Sequence, residues 1–84
     1  MIERIVCTND IEAEQIYKGD KTYFIRSDKE LYEEGYVIKF QNYRQMKPVY
    51  HPISKKKYVV SMVDNFQTAP VARGFQLVSV RETE

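Results

Sequence analysis

Lys21 and Arg26 carry the cations of the stretch Gly19-Asp20-Lys21-Thr22-Tyr23-Phe24-Ile25-Arg26. An ammonium offers a mobile point charge and a guanidinium two parallel donors, so a hollow shared by both would grip a phosphate or a base edge. The surrounding residue types say how the two would be placed. Gly19 tolerates the left-handed backbone that often ends a helix, and Thr-Tyr-Phe-Ile favours a pleated strand. On a strand, Thr22, Phe24 and Arg26 share one face and Tyr23 and Ile25 the other. The apolar face is expected in the core and the mixed face in a cleft. Phe24 then forms part of the core or the cleft floor, or else turns its ring to a base. The competing reading pairs Arg26 with Asp28 or with an acid of residues 30 to 34, as a structural ion pair.

A second set of chemistry-bearing residues follows. Between Gly35 and Val63 there is no acid, while Lys39, Arg44, Lys47, Lys55, Lys56 and Lys57 are basic, so the rest of the chain is acidic although the whole carries only +1. Such segregation points to a polyanionic partner. Tyr43, Arg44, Lys47, Tyr50, Lys55, Lys56 and Lys57 combine rings that stack on bases with cations that meet phosphates, which is what single strands require. A lysine triplet on a hairpin tip is equally a solubilising turn. His51 has no Ser or Cys nucleophile in a triad or elbow pattern and reads as an exposed loop residue, and no catalytic residue is assigned. No glycine-rich phosphate loop is present and no cofactor is expected.

With 84 residues the chain is short for more than one core, so a single domain over residues 1–84 is expected. Its lone Cys7 excludes an internal disulfide, and no second Cys or His stands at metal-ligand spacing. Cys7 is expected to be buried in the first strand. There is neither an apolar run long enough to cross a bilayer nor a signal-peptide pattern, so a cytoplasmic, membrane-free protein is expected.

The elements that must carry these residues follow from periodicity. Ile2, Ile5, Val6 and Cys7 indicate a first strand. Asn9 with Glu12 three positions on resembles a capping box, opening a helix from about Asp10 to Lys18 with a narrow apolar stripe of Ile11, Ala13 and Ile16. Alternation then predicts strands near 22 to 26, 36 to 44, 48 to 51, 57 to 64 and 74 to 81. Residues 28 to 34 are compatible with one helical turn. Pro48 and Pro52 restrict Pro48 to His51 to an edge strand, and His51 to Lys57 is expected as a hairpin connection. Asn65 to Arg73 is expected to be a loop, and Arg81 to Glu84 a frayed tail.

A helix, Gly19-Asp20-Lys21, a strand ending in Arg26, then Gly35 and antiparallel strands closing on Gly74-Phe75 resembles the ASCH domain, a relative of PUA-like barrels, and in particular its small bacterial members. The family pattern is Gly-x-Lys-x-x-Glu-x-Arg. Gly19, Lys21 and Arg26 match it, Phe24 stands at its Glu, and Tyr36 stands where an Asp often follows the later Gly. The resemblance implies an α+β fold, a small, mostly antiparallel PUA-like β-barrel with one or two short helices, whose Lys and Arg line a cleft for RNA or a nucleotide-like ligand. One family branch hydrolyses the amide of acetylated cytidine with a Lys, a Thr and a Glu. Lys21 matches the Lys, but Phe24 occupies the Thr position and residues 65 to 73 hold no acid, so binding is expected ahead of catalysis. A protein-interaction module using the Pro48 to His51 edge is a third possibility.

Overall fold

The computed structural model describes residues 2–27, 29–65 and 74–83. In chain order it comprises β1 (Glu3–Thr8), α1 (Asp10–Tyr17), β2 (Tyr23–Ser27), β3 (Val37–Arg44), β4 (Lys47–Pro48), a 3₁₀ helix (Pro52–Lys55), β5 (Lys57–Asp64) and β6 (Phe75–Thr83). Helix α1 starts as the capping residues require, with the Asn9 side chain accepting from the Glu12 amide at 2.8 Å. It stops at Gly19, whose φ of +83° suits a residue without a Cβ. The Lys18, Gly19 and Lys21 amides bond back to the Glu14, Ile16 and Gln15 carbonyls and so satisfy the last turn. Only Ala13 and Ile16 of the helix are buried, leaving Ile11 exposed.

The result is an α+β fold with one helix and a six-stranded, mostly antiparallel sheet of order β1-β3-β5-β6-β2, with β4 paired to the far end of β3. Only β1 and β3 run parallel, because α1 and β2 intervene between them. The outer strands are β1 and β2, and among the described residues no ladder joins them. The Val37 amide bonds to the Ile2 carbonyl, so alternation turns the backbone groups of Cys7 away from β3 towards the open edge. There the Arg26 guanidinium donates to the Cys7 carbonyl at 2.6 Å and to the Ile25 carbonyl of its own strand at 2.7 Å. One side chain therefore links the two edges where strand pairing is lacking.

The core is built on a run of edge-to-face rings, Tyr32–Phe24–Phe40–Tyr58, with centroids 5.4, 5.7 and 5.2 Å apart. Ile38, Ile53, Val60 and Val78 pack around it. This arrangement reverses the expected faces of β2. Phe24 is 0% exposed and Arg26 half-buried, whereas Tyr23 and Ile25 lie at the surface. The physical reason is that Arg26 finds carbonyl and carboxylate partners along the seam, so its face can turn inward without stranding a charge.

Several local expectations are likewise corrected. Cys7 is exposed, because alternation buries Val6 and Thr8 in β1 instead. Residues 81 to 83 are not a tail but the end of β6, paired with Lys57, Tyr58 and Val59 of β5. The edge strand at Pro48 is only two residues long. Between His51 and Lys57 the chain forms the 3₁₀ helix, with Ile53 buried beneath it, and not a simple hairpin connection. Among the described residues of 29 to 34 there is no helix, and Tyr32 plugs the core. Of the expected loop at 65 to 73, residues 66 to 73 lie outside the described residues.

The β3–β4 hairpin has a two-residue tip, since Arg44 pairs with Lys47. Gln45 and Met46 both adopt positive φ, 51° and 65°, as the mirror-image turn of a two-residue hairpin demands. Neither is Gly or Asn, and left-handed backbone costs an ordinary residue about 1–2 kcal/mol.

Candidate functional site

Lys21 and Arg26 converge on a carboxylate of the protein itself. Glu12, in the first turn of α1, receives Arg26 Nη2 at 2.8 Å and Nη1 at 3.4 Å, and lies 3.5 Å from Lys21 Nζ. Its side chain is thereby diverted from closing the capping box on Asn9. Among the described residues the two cations line different hollows. Arg26 borders a hollow of 350 Å³ with Cys7, Ser27 and Tyr32, while Lys21 borders a different cavity. Arg26 also lies over the Phe24 ring at 5.4 Å, and that ring has no exposed face to offer a base. Asp28, the other expected partner of Arg26, lies outside the described residues.

The Lys21 cavity encloses about 440 Å³ between the end of α1, the start of β5 and the end of β6. Ile16, Tyr58 and Val80 give it apolar walls, and Lys18, Lys21, Lys56 and Arg81 bring four cations to it against the single acid Glu82. Gly19 ends the helix at its margin, which lets Lys21 and Thr22 turn into the wall. Lys56 lies 3.2 Å from Glu82 and 4.4 Å above the Tyr17 ring, and Lys21 lies 5.1 Å from the Tyr23 ring. Lys18 and Arg81 have no ion-pair partner among the described residues. The Tyr58 hydroxyl is buried without a hydrogen-bond partner among them. Burial, with the nearby Glu82 charge, pushes its pKa up to about 12, so it is a neutral donor at physiological pH. The cavity can therefore hold a small anion with an apolar body, with cations around it and apolar walls to pack on.

The basic and aromatic segment is distributed unevenly. Lys56 alone of its members joins the cavity. Tyr43 is half-buried on β3, and Arg44 is exposed with its Nε 2.9 Å from Asp10. Asp10 also accepts from the buried Asn42 at 2.7 Å; the Arg44 and Asn42 bonds hold its carboxyl below the usual range, and Asp10 in turn raises the Arg44 pKa. Lys47, Lys55 and Lys57 are exposed and unpaired among the described residues, and Lys55 lies 5.9 Å from the ring of exposed Tyr50. His51 is not a free loop residue. Its Nδ1 accepts from the Ile53 amide to start the 3₁₀ helix, its Nε2 lies 3.5 Å from Glu14, and its ring meets Tyr17 edge-on.

Sequence reasoning missed Tyr58, Arg81 and Lys18 as cavity residues. For Arg81 a signal was present: apolar alternation through Val78 and Val80 continues the strand to that position. The partner of Arg26 was also legible in type, an acid in the first helical turn, but its distance in sequence hid it. No protein-family model matches the chain, and no curated protein is significantly similar to it.

Proposed function

We propose that the protein is an ASCH-like, PUA-like domain that binds a nucleotide-like anion, free or as part of RNA, in the cavity beside Lys21. The observation that carries this reading is the set of four cations around apolar walls, two of them, Lys18 and Arg81, without an ion-pair partner among the described residues. Lys18, Lys56 and Arg81 take the charged end of the ligand, with Lys21 held near it by Glu12, and Ile16, Tyr58 and Val80 pack against its body. Arg26 is a structural clamp, and Phe24 belongs to the core. The resemblance through Gly19, Lys21 and Arg26 supports the fold family, in which the Arg26 bridge would stand in for strand pairing across the open β1–β2 seam.

Calorimetric titration with uridine monophosphate, and with a short single-stranded RNA, tests this and distinguishes the two sources of the same phosphate chemistry. Binding weakened in Lys56→Ala and Arg81→Ala supports the reading. Binding unaffected by both, or absent with each ligand, contradicts it.

A further inference from the structure

The β3–β4 hairpin presents an apolar side chain on a backbone poorly suited to its residue types. Met46 is 95% exposed, more than any other large hydrophobic side chain among the described residues, and both it and Gln45 hold positive φ. Glycine or asparagine would occupy such a turn more easily. The arms of the hairpin continue as Arg44 on one side and Lys47 on the other, and the chain then runs directly into Tyr50, 69% exposed, with Lys55 over its ring. No acid occurs in the sequence from Arg44 to Lys57. A projecting thioether between two cations, beside an exposed ring, matches what an unstacked base and its flanking phosphates offer.

We propose that this hairpin is a wedge for single-stranded RNA, with Met46 packing on or between bases while Arg44 and Lys47 meet the adjacent phosphates and Tyr50 stacks on a neighbouring base. The inference rests on the polyanion reading above, but it uses a surface outside the Lys21 cavity. Charge complementarity favours a polyanion here, since Lys47, Lys55 and Lys57 are exposed and no acid occurs from Arg44 to Lys57. The strained turn fits the same role: it holds the side chain outward at some expense to stability.

Fluorescence anisotropy with a labelled single-stranded RNA of about twelve nucleotides tests it in wild type, Met46→Ala and Met46→Gly. Both substitutions are expected to weaken binding about tenfold without changing the salt dependence, because an apolar contact releases no counterions. Met46→Gly is expected also to raise the melting temperature, which shows that the fold is intact. Equal RNA affinity in wild type and Met46→Ala overturns the wedge. If uridine monophosphate still binds in that case, the cavity reading stands by itself. Wild type that binds uridine monophosphate but no RNA likewise overturns only the wedge. Phosphatidylserine vesicles provide the remaining comparison: loss of vesicle binding in Met46→Ala with RNA binding unchanged would assign the tip to a lipid surface and overturn the proposal.

Discussion

The Arg26 guanidinium and the Glu12 carboxylate meet at 2.8 Å across the seam between β2 and the β1–α1 unit, and the same guanidinium holds the Cys7 carbonyl at 2.6 Å. A cation that in sequence reads as a ligand grip is thus committed to the fold. Breaking this set removes four charge-assisted bonds and leaves Glu12, whose side chain is only 15% exposed, with Lys21 as its one ion-pair partner among the described residues. Arg26→Ala is expected to lose about 2–3 kcal/mol of unfolding free energy in urea titration, and Arg26→Lys most of that, since one ammonium cannot reproduce the fork. An unchanged denaturation midpoint would return Arg26 to the list of free ligand groups.

Phe24→Ala should cost more, about 3–5 kcal/mol, because it deletes the ring joining Tyr32 to Phe40 at the centre of the core. Domains of this kind have only about 5–15 kcal/mol in all. Circular dichroism and urea titration would show the loss. A variant as stable as wild type would mean that the ring is not packed as described.

Tyr58→Phe tests the buried hydroxyl. Removing it, since it has no hydrogen-bond partner among the described residues, should leave stability unchanged or raise it by about 1 kcal/mol. The alkaline limb should change too. Tyr58 and Tyr32 both have folded pKa values raised to about 12 from 10.0, so each supports the native state below pH 10, and that support is lost as pH rises through about 12. Thermal melts in this window should show a shallower alkaline decline for Tyr58→Phe, and an identical decline would contradict the burial of its hydroxyl.

At the acid end the sign is opposite. Arg44 and Asn42 hold the Asp10 carboxyl below its ordinary 3.8, so its contribution to stability is present above that pH and is lost as pH falls through the lower folded value. Asp10→Asn should therefore flatten the acid limb of the stability profile below pH 3.8. Carbon-detected NMR titration of Asp10 gives the direct value, and a midpoint at or above the ordinary one would refute the assigned contacts.

Much of the fold was readable because it depends on local chemistry. Asn9 before Glu12 set the helix start, Gly19 its stop, and the alternation in Val37 to Phe40 and Tyr58 to Val60 placed the central strands. What failed depended on distant partners. Choosing the inner face of β2 required knowing that Glu12 and the Cys7 carbonyl would meet Arg26, and the local pattern, with Tyr23 and Ile25 the more apolar pair, pointed the other way. Arg81 stood at the expected end of the last strand and the start of an expected tail, because only pairing with β5 carries the strand on to Thr83. The cavity needed both corrections at once. It lies where the helix stop found from Gly19 meets the end of β6, which runs past the expected residue 81 to Thr83.

The central claim, that the Lys21 cavity and not the Arg26 seam receives the anion, is tested most directly by following backbone amide shifts as uridine monophosphate is added to the intact chain. The account predicts saturable shifts concentrated at Gly19, Lys21, Thr22, Lys56, Tyr58 and Arg81, with Cys7, Ile25 and Arg26 little changed. Shifts centred on Cys7 and Arg26, or no saturable shift at the cavity, would contradict it.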